Sequence, residues 1–406
     1  MSRAPVVVVG AGAAGLMAAY FAAAGQRDVL VLERTGDGGR KILISGGGRC
    51  NVLPSRFDPA QYFTDSSPNI LRNVLRSWPD RAQRRFFEDE LGLPLALEPE
   101  TGKLFPVSNR ARDVRDMLVN AARERGARFQ FDSAMAALEP PDSDSSAWTV
   151  RLADGRSLAA HAVILASGGL SVPQTGSDGT GLRVAHALGH TVRETYPALT
   201  PLTLQPARFA ALAGISLTVR LAAAGTAFEP AGFLFTHRGY SGPAVLNASH
   251  VAVRAQQRGE HSPLLVQWSL GEAEWQARLA GGAATVGAVL RRELPDRLAA
   301  VLLEEAGVAT EQRVARLPRD ARRRLLDVLV RFPLPYTGNE GYRKAEVTGG
   351  GVALEEVDPR TLQSRLHPRL YLCGELLDAF GPIGGYNFAW AWATGRLAGS
   401  AAAAPA

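Results

Sequence analysis

Pro5-Val6-Val7-Val8-Val9-Gly10-Ala11-Gly12-Ala13-Ala14-Gly15 decides how the chain is read. Four consecutive β-branched residues, Val6 to Val9, have the pattern of a strand buried on both faces. The glycines that follow have the spacing G-x-G-x-x-G. Residues 16–24 are rich in alanine and read as a helix closed by Gly25. Residues 28–32 form a second apolar strand, which ends on Glu33. Strand, glycine turn, helix, strand and terminal acid make one βαβ unit.

Each glycine has a mechanical reason. Gly10 allows a tight turn out of the strand, Gly12 lets a pyrophosphate approach the backbone, and Gly15 lets helix and strand pack closely. The helix N-terminus offers free N–H groups and partial positive charge to phosphates. Glu33 follows Gly15 by 18 residues, near the spacing of about 20 at which an acid meets the ribose. A carboxylate there repels a 2′-phosphate, so the expected ligand is FAD or NAD rather than NADP. The rival reading is a signal peptide or membrane helix, because residues 6–25 are almost uncharged. Three glycines, the acid closing the next strand and a single basic residue ahead of the apolar run argue against it.

The 406 residues give room for two or three domains. Hydrophobic residues make up 46%, as in ordinary globular proteins, and the formal charge is +6. Nearly all the basic residues are arginine; the lysines are Lys41, Lys103 and Lys344. This is a compositional habit rather than a nucleic-acid footprint, which needs basic residues gathered on one face. Two cysteines, Cys50 and Cys373, are too few for a disulfide scaffold and fit a reducing cytoplasm. No partner nucleic acid or membrane is expected, and the chain reads as a monomer or homodimer.

Past Glu33, Gly38-Gly39-Arg40-Lys41 and Ser45-Gly46-Gly47-Gly48-Arg49-Cys50-Asn51 flank the apolar run 42–44. Loops leaving the carboxyl ends of strands face the ligand in this kind of fold, and Arg40, Lys41 and Arg49 are placed to neutralise phosphate. Residues 69–91 read as helical, 98–107 as a hairpin, and 110–126 as a helix capped by Asn109. Residues 127–131 are a strand, 140–146 a turn-rich linker, and 148–152 with 157–161 a hairpin. Residues 162–166 form another buried strand, ending in Ser167-Gly168-Gly169. The glycines at 168–181 and 349–351 do not repeat the dinucleotide spacing, so no second nucleotide domain is visible.

Composition changes near Thr195. Short β-type runs fill 199–242, Pro243 sits where a helix would open, and 264–270 is a strand. The pattern over 285–332 is helical, broken at Pro295 and Pro318. The arginines at 313, 316, 319, 322, 323 and 324 read as a solvated helix face. From Gly341 the glycine-rich style returns. The last strand runs into Cys373-Gly374-Glu375, then Gly384-Gly385-Tyr386-Asn387 and a final helix over 388–398, with a frayed tail at 400–406. A helix starting there would stabilise negative charge on a reduced flavin.

Taken together, Gly10-x-Gly12-x-x-Gly15 with Glu33, the stretch Arg40 to Asn51, and Cys373-Gly374-Glu375-Leu376-Leu377-Asp378 with Gly384-Gly385-Tyr386-Asn387 resemble the BaiN/RdsA-type FAD-dependent oxidoreductases, also labelled aminoacetone-oxidase-like. The segment Leu234 to Pro243 is similar to that family's insert signature. The resemblance implies an α/β fold: a glutathione-reductase-like FAD-binding Rossmann domain in two pieces, 1–194 and 341–406, around an inserted β-barrel-like and helical domain, 195–340. It implies FAD held by Gly10, Gly12, Ala13, Ala14, Gly15, Glu33 and Arg34. Further contacts would come from Arg40, Lys41, Gly47, Arg49, Cys50, Asn51, Ala134, Ala166, Ser167 and Gly168. Gly374, Glu375, Asp378, Gly385, Tyr386, Asn387 and Phe388 would lie along the ribityl chain and ring. One departure is Ser167, where related flavoproteins often carry threonine; the hydroxyl is kept.

With flavin doing the electron chemistry, side chains need only place the substrate and move a proton. His237 and Tyr386 are the catalytic candidates, with Tyr240 as a further phenol; each also has a structural reading. A redox pair of Cys50 and Cys373 would make a disulfide reductase, but no close C-x-x-C spacing supports it. No metal-ligand spacing is present. The expected activity is hydride transfer from reduced flavin, supplied by NAD(P)H as a transient co-substrate, to a small organic substrate. The alternatives are an amine or alcohol oxidase using oxygen, and a non-catalytic flavin-binding redox or RNA accessory protein.

Overall fold

The computed structural model describes residues 4–25, 27–143 and 147–404. Contacts divide the chain into two compact units, Met1–Pro197 with Glu346–Ala406, and Ala198–Ala345.

The first unit is built on a five-stranded sheet in the order Leu370–Leu372, Ala162–Leu165, Val6–Val9, Val29–Leu32, Arg128–Gln130. Every pairing is parallel. Val6–Val9 is the central strand and is buried along its whole length, as four β-branched residues with no polar face require. In register, Val9 stands beside both Leu32 and Leu165, and Leu165 beside Leu372. Three chain segments remote in sequence therefore leave the sheet next to the Gly10 turn.

Helix Ala13–Ala22 covers this sheet and packs against helix Tyr386–Ala403. Small residues make the approach possible. A Cβ added to Gly395 would fall 2.4 Å from the Ala14 carbonyl oxygen, and one on Gly399 2.3 Å from that of Ala18. The last helix starts earlier and ends later than its sequence pattern predicts. It reaches Ala403 instead of fraying at Ser400, because Ala402 is buried in the same core; residues 405–406 lie outside the described residues.

Smaller elements surround the sheet. Strands Leu53–Pro54, Lys103–Pro106 and Leu95–Glu98 form an antiparallel group. Met135–Glu139, Trp148–Leu152 and Ser157–Ala160 form another; residues 144–146 of the expected linker are outside the described residues. Helix Ala111–Glu124 follows Arg110, not Asn109, at its cap position, and Asn109 instead takes a left-handed turn at φ 53°. The segment expected as one helix over 69–91 is divided by Pro79 into Pro68–Arg76 and Asp80–Arg85, continued by a π-turn at Phe86–Glu90. The run at 42–44 belongs to a short helix, Arg40–Ile44.

The second unit has its own core around an eight-stranded antiparallel sheet. Phe233, Phe235 and Trp268 meet on that sheet, with Phe235 stacked on Trp268 at 5.9 Å. Helix Pro243–Gln257 opens on its proline. Pro295 and Pro318 stand directly before helices Asp296–Ala306 and Arg319–Val330, positions where a proline needs no helical partner for its nitrogen. Among the described residues no helix is long and apolar enough to cross a membrane.

Candidate functional site

The site lies at the carboxyl edge of the parallel sheet. Gly10 leaves the central strand at φ 102°, a conformation that suits glycine, and a Cβ there would sit 2.6 Å from the Ala166 carbonyl oxygen. Gly15 packs closer still: its Cβ would lie 1.8 Å from the Gly10 carbonyl oxygen. Gly12 differs from both. A Cβ added to it meets nothing within 4 Å. Its missing side chain leaves open space directly before the N-terminus of helix Ala13–Ala22, where free N–H groups collect.

Glu33 is buried beside this turn. Its Oε2 accepts the Ala11 N–H at 2.8 Å and its Oε1 accepts the Thr35 N–H at 2.9 Å. A carboxylate has further lone pairs, so these bonds orient it while leaving acceptor capacity for hydroxyl groups. Next to it opens a cleft of about 440 Å³ whose walls include Arg34, Ala134 and Met135. Arg34 is tied to Asp178 and to the Gly176 carbonyl. Loop 171–179 is thereby fixed over the end of the second strand. On the neighbouring strand exit, the Ser167 hydroxyl is buried and has no hydrogen-bond partner among the described residues.

The basic residues expected near phosphates are each held by an acid. Arg40 pairs with Asp37 at 2.5 Å, and Arg49 with Glu98 at 3.1 Å while lying over the Phe105 ring. Lys41 donates to Glu375 at 2.6 Å and to the Ser171 hydroxyl at 2.7 Å. Glu375 also accepts from the Thr348 N–H and hydroxyl, both at 2.9 Å. Burial opposes its ionisation, but Lys41 and the hydroxyl donors outweigh that and hold the carboxyl below its ordinary range.

The closing glycine loop is pinned from several sides. Asn387 and Gly381 exchange hydrogen bonds through side-chain amide and backbone, at 2.9 and 3.0 Å. With its amide in the orientation the surroundings require, Asn51 accepts the Gly385 N–H at 3.0 Å and donates to Leu53 O at 3.1 Å. The Tyr62 hydroxyl donates to Tyr386 O at 2.8 Å. Trp390 donates to Gly374 O and Trp392 to Val52 O, both at 3.0 Å, and Phe388 stacks on Trp392. Asp378 Oδ2 accepts from Asp65 N–H and the Ser66 hydroxyl, at 3.0 and 2.8 Å. It clamps the 64–66 turn, and burial pushes its carboxyl above the usual range. Ala14 stands against Gly374, where an added Cβ would lie 2.7 Å from its own; Ala13 opens the first helix, Gly168 lies against Ser177, and Gly47, at φ 68°, meets nothing within 4 Å among the described residues.

Neither cysteine has the setting of a redox thiol. Cys50 and Cys373 are fully buried, and burial pushes each thiol up to about 12, so neither offers a thiolate near neutrality. His237 stands exposed at the tip of the turn between strands Ala231–Phe235 and Gly239–Ser241 of the second unit. Tyr240 is sealed in that unit's core, where burial raises its phenol. Tyr386 is at the first turn of the last helix, and burial, aided by Asp58, raises its phenol also.

Sequence reasoning passed over Ser171, Thr348, Tyr62 and Lys103. Thr348 precedes a glycine triplet and Lys103 is one of three lysines; those were the available signals.

A dinucleotide with a flavin end fits these residues: open space before a helix N-terminus, an oriented acid beside a cleft, an orphan hydroxyl and a second helix start. The HI0933-like protein Rossmann domain family matches residues 4–401. The chain is 33% identical over 401 residues to the ribosomal RNA dihydrouridine synthase of Escherichia coli, covering 97% of this chain and 96% of that one. It is 32% identical over 409 residues to the 3-dehydro-bile acid delta(4,6)-reductase of Clostridium scindens, covering 98% of each. Among solved structures, a flavocytochrome c3 fumarate reductase shares the fold at TM-score 0.51 and 17% identity, over 99% of this chain and 78% of that one. The 3-ketosteroid-delta4-(5alpha)-dehydrogenase of Rhodococcus jostii does so at TM-score 0.50 and 16% identity, over 100% and 97%. The chain thus belongs to the HI0933-like family, flavin-dependent oxidoreductases built on a Rossmann-type FAD-binding fold.

Proposed function

We propose that this protein reduces a carbon–carbon double bond conjugated to a carbonyl group, using FAD and electrons from NAD(P)H. The observation that carries the reading is chemical. Relatives named for dihydrouridine formation and for a delta(4,6) reduction, each aligned over nearly the whole chain, both saturate a C=C bond next to a carbonyl. Their substrates differ greatly in size, so the shared part is the reaction.

In this reading Gly12 and the start of helix Ala13–Ala22 hold the pyrophosphate, Glu33 the adenosine ribose, and the cleft by Arg34 and Ala134 the adenine. Gly374, Glu375 and the start of helix Tyr386–Ala403 hold the ribityl chain and ring. FAD held there would supply two-electron hydride chemistry. The chain's own contribution is orientation: Asn51, Asn387 and Tyr62 fix the loop whose N–H groups face developing negative charge. NAD(P)H visits the same face transiently.

The test is anaerobic rapid mixing. NADH or NADPH should bleach the bound flavin; if neither does, the donor assignment fails. The reduced protein is then mixed with a uridine-containing ribosomal RNA fragment and with a steroid dienone. Flavin reoxidation with a gain of two hydrogens in either substrate supports the reading. Reoxidation by oxygen alone, with peroxide formed from amines, would replace it with the oxidase alternative.

A further inference from the structure

Arginine serves almost everywhere this chain needs a cation, which sets its three lysines apart. Lys41 is engaged by Glu375 and Ser171, and Lys344 stands exposed in the second unit. Lys103 has neither arrangement. It is half-buried on strand Lys103–Pro106, directly across from Glu98. Its Cε runs over the closing glycine loop: a Cβ added to Gly384 would lie 3.7 Å from Lys103 Cε and 3.8 Å from the Tyr386 ring. The Glu98 carboxylate is taken by Arg49 at 3.1 Å and the Thr101 hydroxyl at 2.6 Å. Among the described residues the Lys103 ammonium makes no hydrogen bond and no ion pair.

An ammonium carries three strong donors and is costly to desolvate without acceptors. Burial pulls Lys103 below the ordinary lysine range; Glu98 opposes this and Arg49 adds to it. Such a group, beside the glycine loop to which the reading above assigns the flavin ring, is available to an oxygen brought by the ligand. A guanidinium would spread its charge over a planar fork, whereas an ammonium presents a compact point charge.

We propose that Lys103 is a catalytic residue whose ammonium holds the carbonyl oxygen of the conjugated alkene at the Gly384 loop. This rests on the reaction proposed above. The alkene carbon β to the carbonyl gains a hydride, the two electrons that reduced flavin loses. The π pair shifts onto the oxygen as an enolate, and the α-carbon then takes a proton from water. Lys103 keeps its proton and stabilises the oxyanion.

Lys103→Met and Lys103→Arg are compared with wild type as full-length, FAD-loaded protein. The first readout needs no turnover: a 4-chlorophenolate, an unreactive enolate mimic, is titrated against the oxidised protein and followed by flavin absorbance. Lys103→Met should weaken binding by about ten- to a hundred-fold, the worth of a charged hydrogen bond, and Lys103→Arg by less. The second is the rate of flavin reoxidation by the alkene, divided by each variant's own rate of flavin reduction; this ratio should fall by about a hundred-fold in Lys103→Met. Should that variant lose its flavin, Lys103→Gln provides the comparison. Phenolate affinity that is absent in wild type, or unchanged to within about two-fold in a flavin-loaded variant, overturns the proposal. If phenolate binding depends on Lys103 but wild type reduces no conjugated alkene, the oxyanion site stands and the reaction assigned above falls.

Discussion

The Lys41 ammonium lies 2.6 Å from the Glu375 carboxylate, joining residues 334 positions apart within one unit. Both side chains are largely buried, at 28% and 17% exposure. Removing the cation leaves Glu375 with hydroxyl and N–H donors alone. Lys41→Met should destabilise the first unit by about 3 kcal/mol, read as a lower denaturant midpoint.

The same pair predicts a pH dependence. Folding lowers the Glu375 pKa from 4.5, so the unfolded chain binds the proton more readily and stability rises with pH across that interval. The contribution is complete above about 4.5 and is lost as pH falls through the lower folded value. Glu375→Gln should therefore cost more stability at pH 7 than at pH 4. Urea unfolding of both proteins at the two pH values measures this; an equal gap would reject it.

Gly12 and Gly15 separate ligand binding from folding. Gly15→Ala forces a Cβ to 1.8 Å from the Gly10 carbonyl oxygen, which should cost about 3 kcal/mol through overpacking. The Cβ of Gly12→Ala meets nothing within 4 Å among the described residues beyond its chain neighbours, and the variant's stability without cofactor should stay within about 1 kcal/mol of wild type. Its FAD affinity should nevertheless drop about a hundred-fold, because the methyl would enter the space that the proposed reading gives to the pyrophosphate. Thermal melts of the apoprotein with FAD titration distinguish the two variants.

Gly399→Leu tests the helix pair. Its Cβ would fall 2.3 Å from Ala18 O, so helices Ala13–Ala22 and Tyr386–Ala403 must separate. A loss of about 3 kcal/mol is expected, together with weakened flavin retention, because the same helix carries Tyr386 and Asn387 at its start.

The thiols give a negative prediction. Cys50 and Cys373 are pushed up to about 12 by burial. Iodoacetamide at pH 8 should leave the native protein unlabelled and modify both residues only after denaturation. Rapid labelling of a native thiol, with loss of turnover, would restore the redox-pair reading.

The parts of this fold that the sequence announces are local. Val6 to Val9 cannot face water on either side, and Pro295 and Pro318 cannot sit inside helices, so both readings follow from the chain itself. Strand Met135–Glu139 has no local signature, because Met, Ala, Leu and Glu favour helix and a register shift between Met135 and Ala137 breaks the alternation. The Lys41–Glu375 contact and the placement of Lys103 against Gly384 have no local trace. Each is created by long-range strand order and loop packing, which no short window of residues encodes. The helix end at Ala403 was missed for a related reason: only tertiary burial of Ala402 distinguishes it from an untethered alanine tail.

The segregation of the first unit into Met1–Pro197 and Glu346–Ala406 sets a schedule for the growing chain. The central valine strand leaves the ribosome long before the outer strand Leu370–Leu372 and the helix that seals Ala14 and Ala18. At about 5–20 residues per second the interval is roughly 20–80 s. Throughout it the alanine–glycine face of the first helix stays open to solvent, and nascent-chain holding factors should engage there until Gly395 and Gly399 arrive.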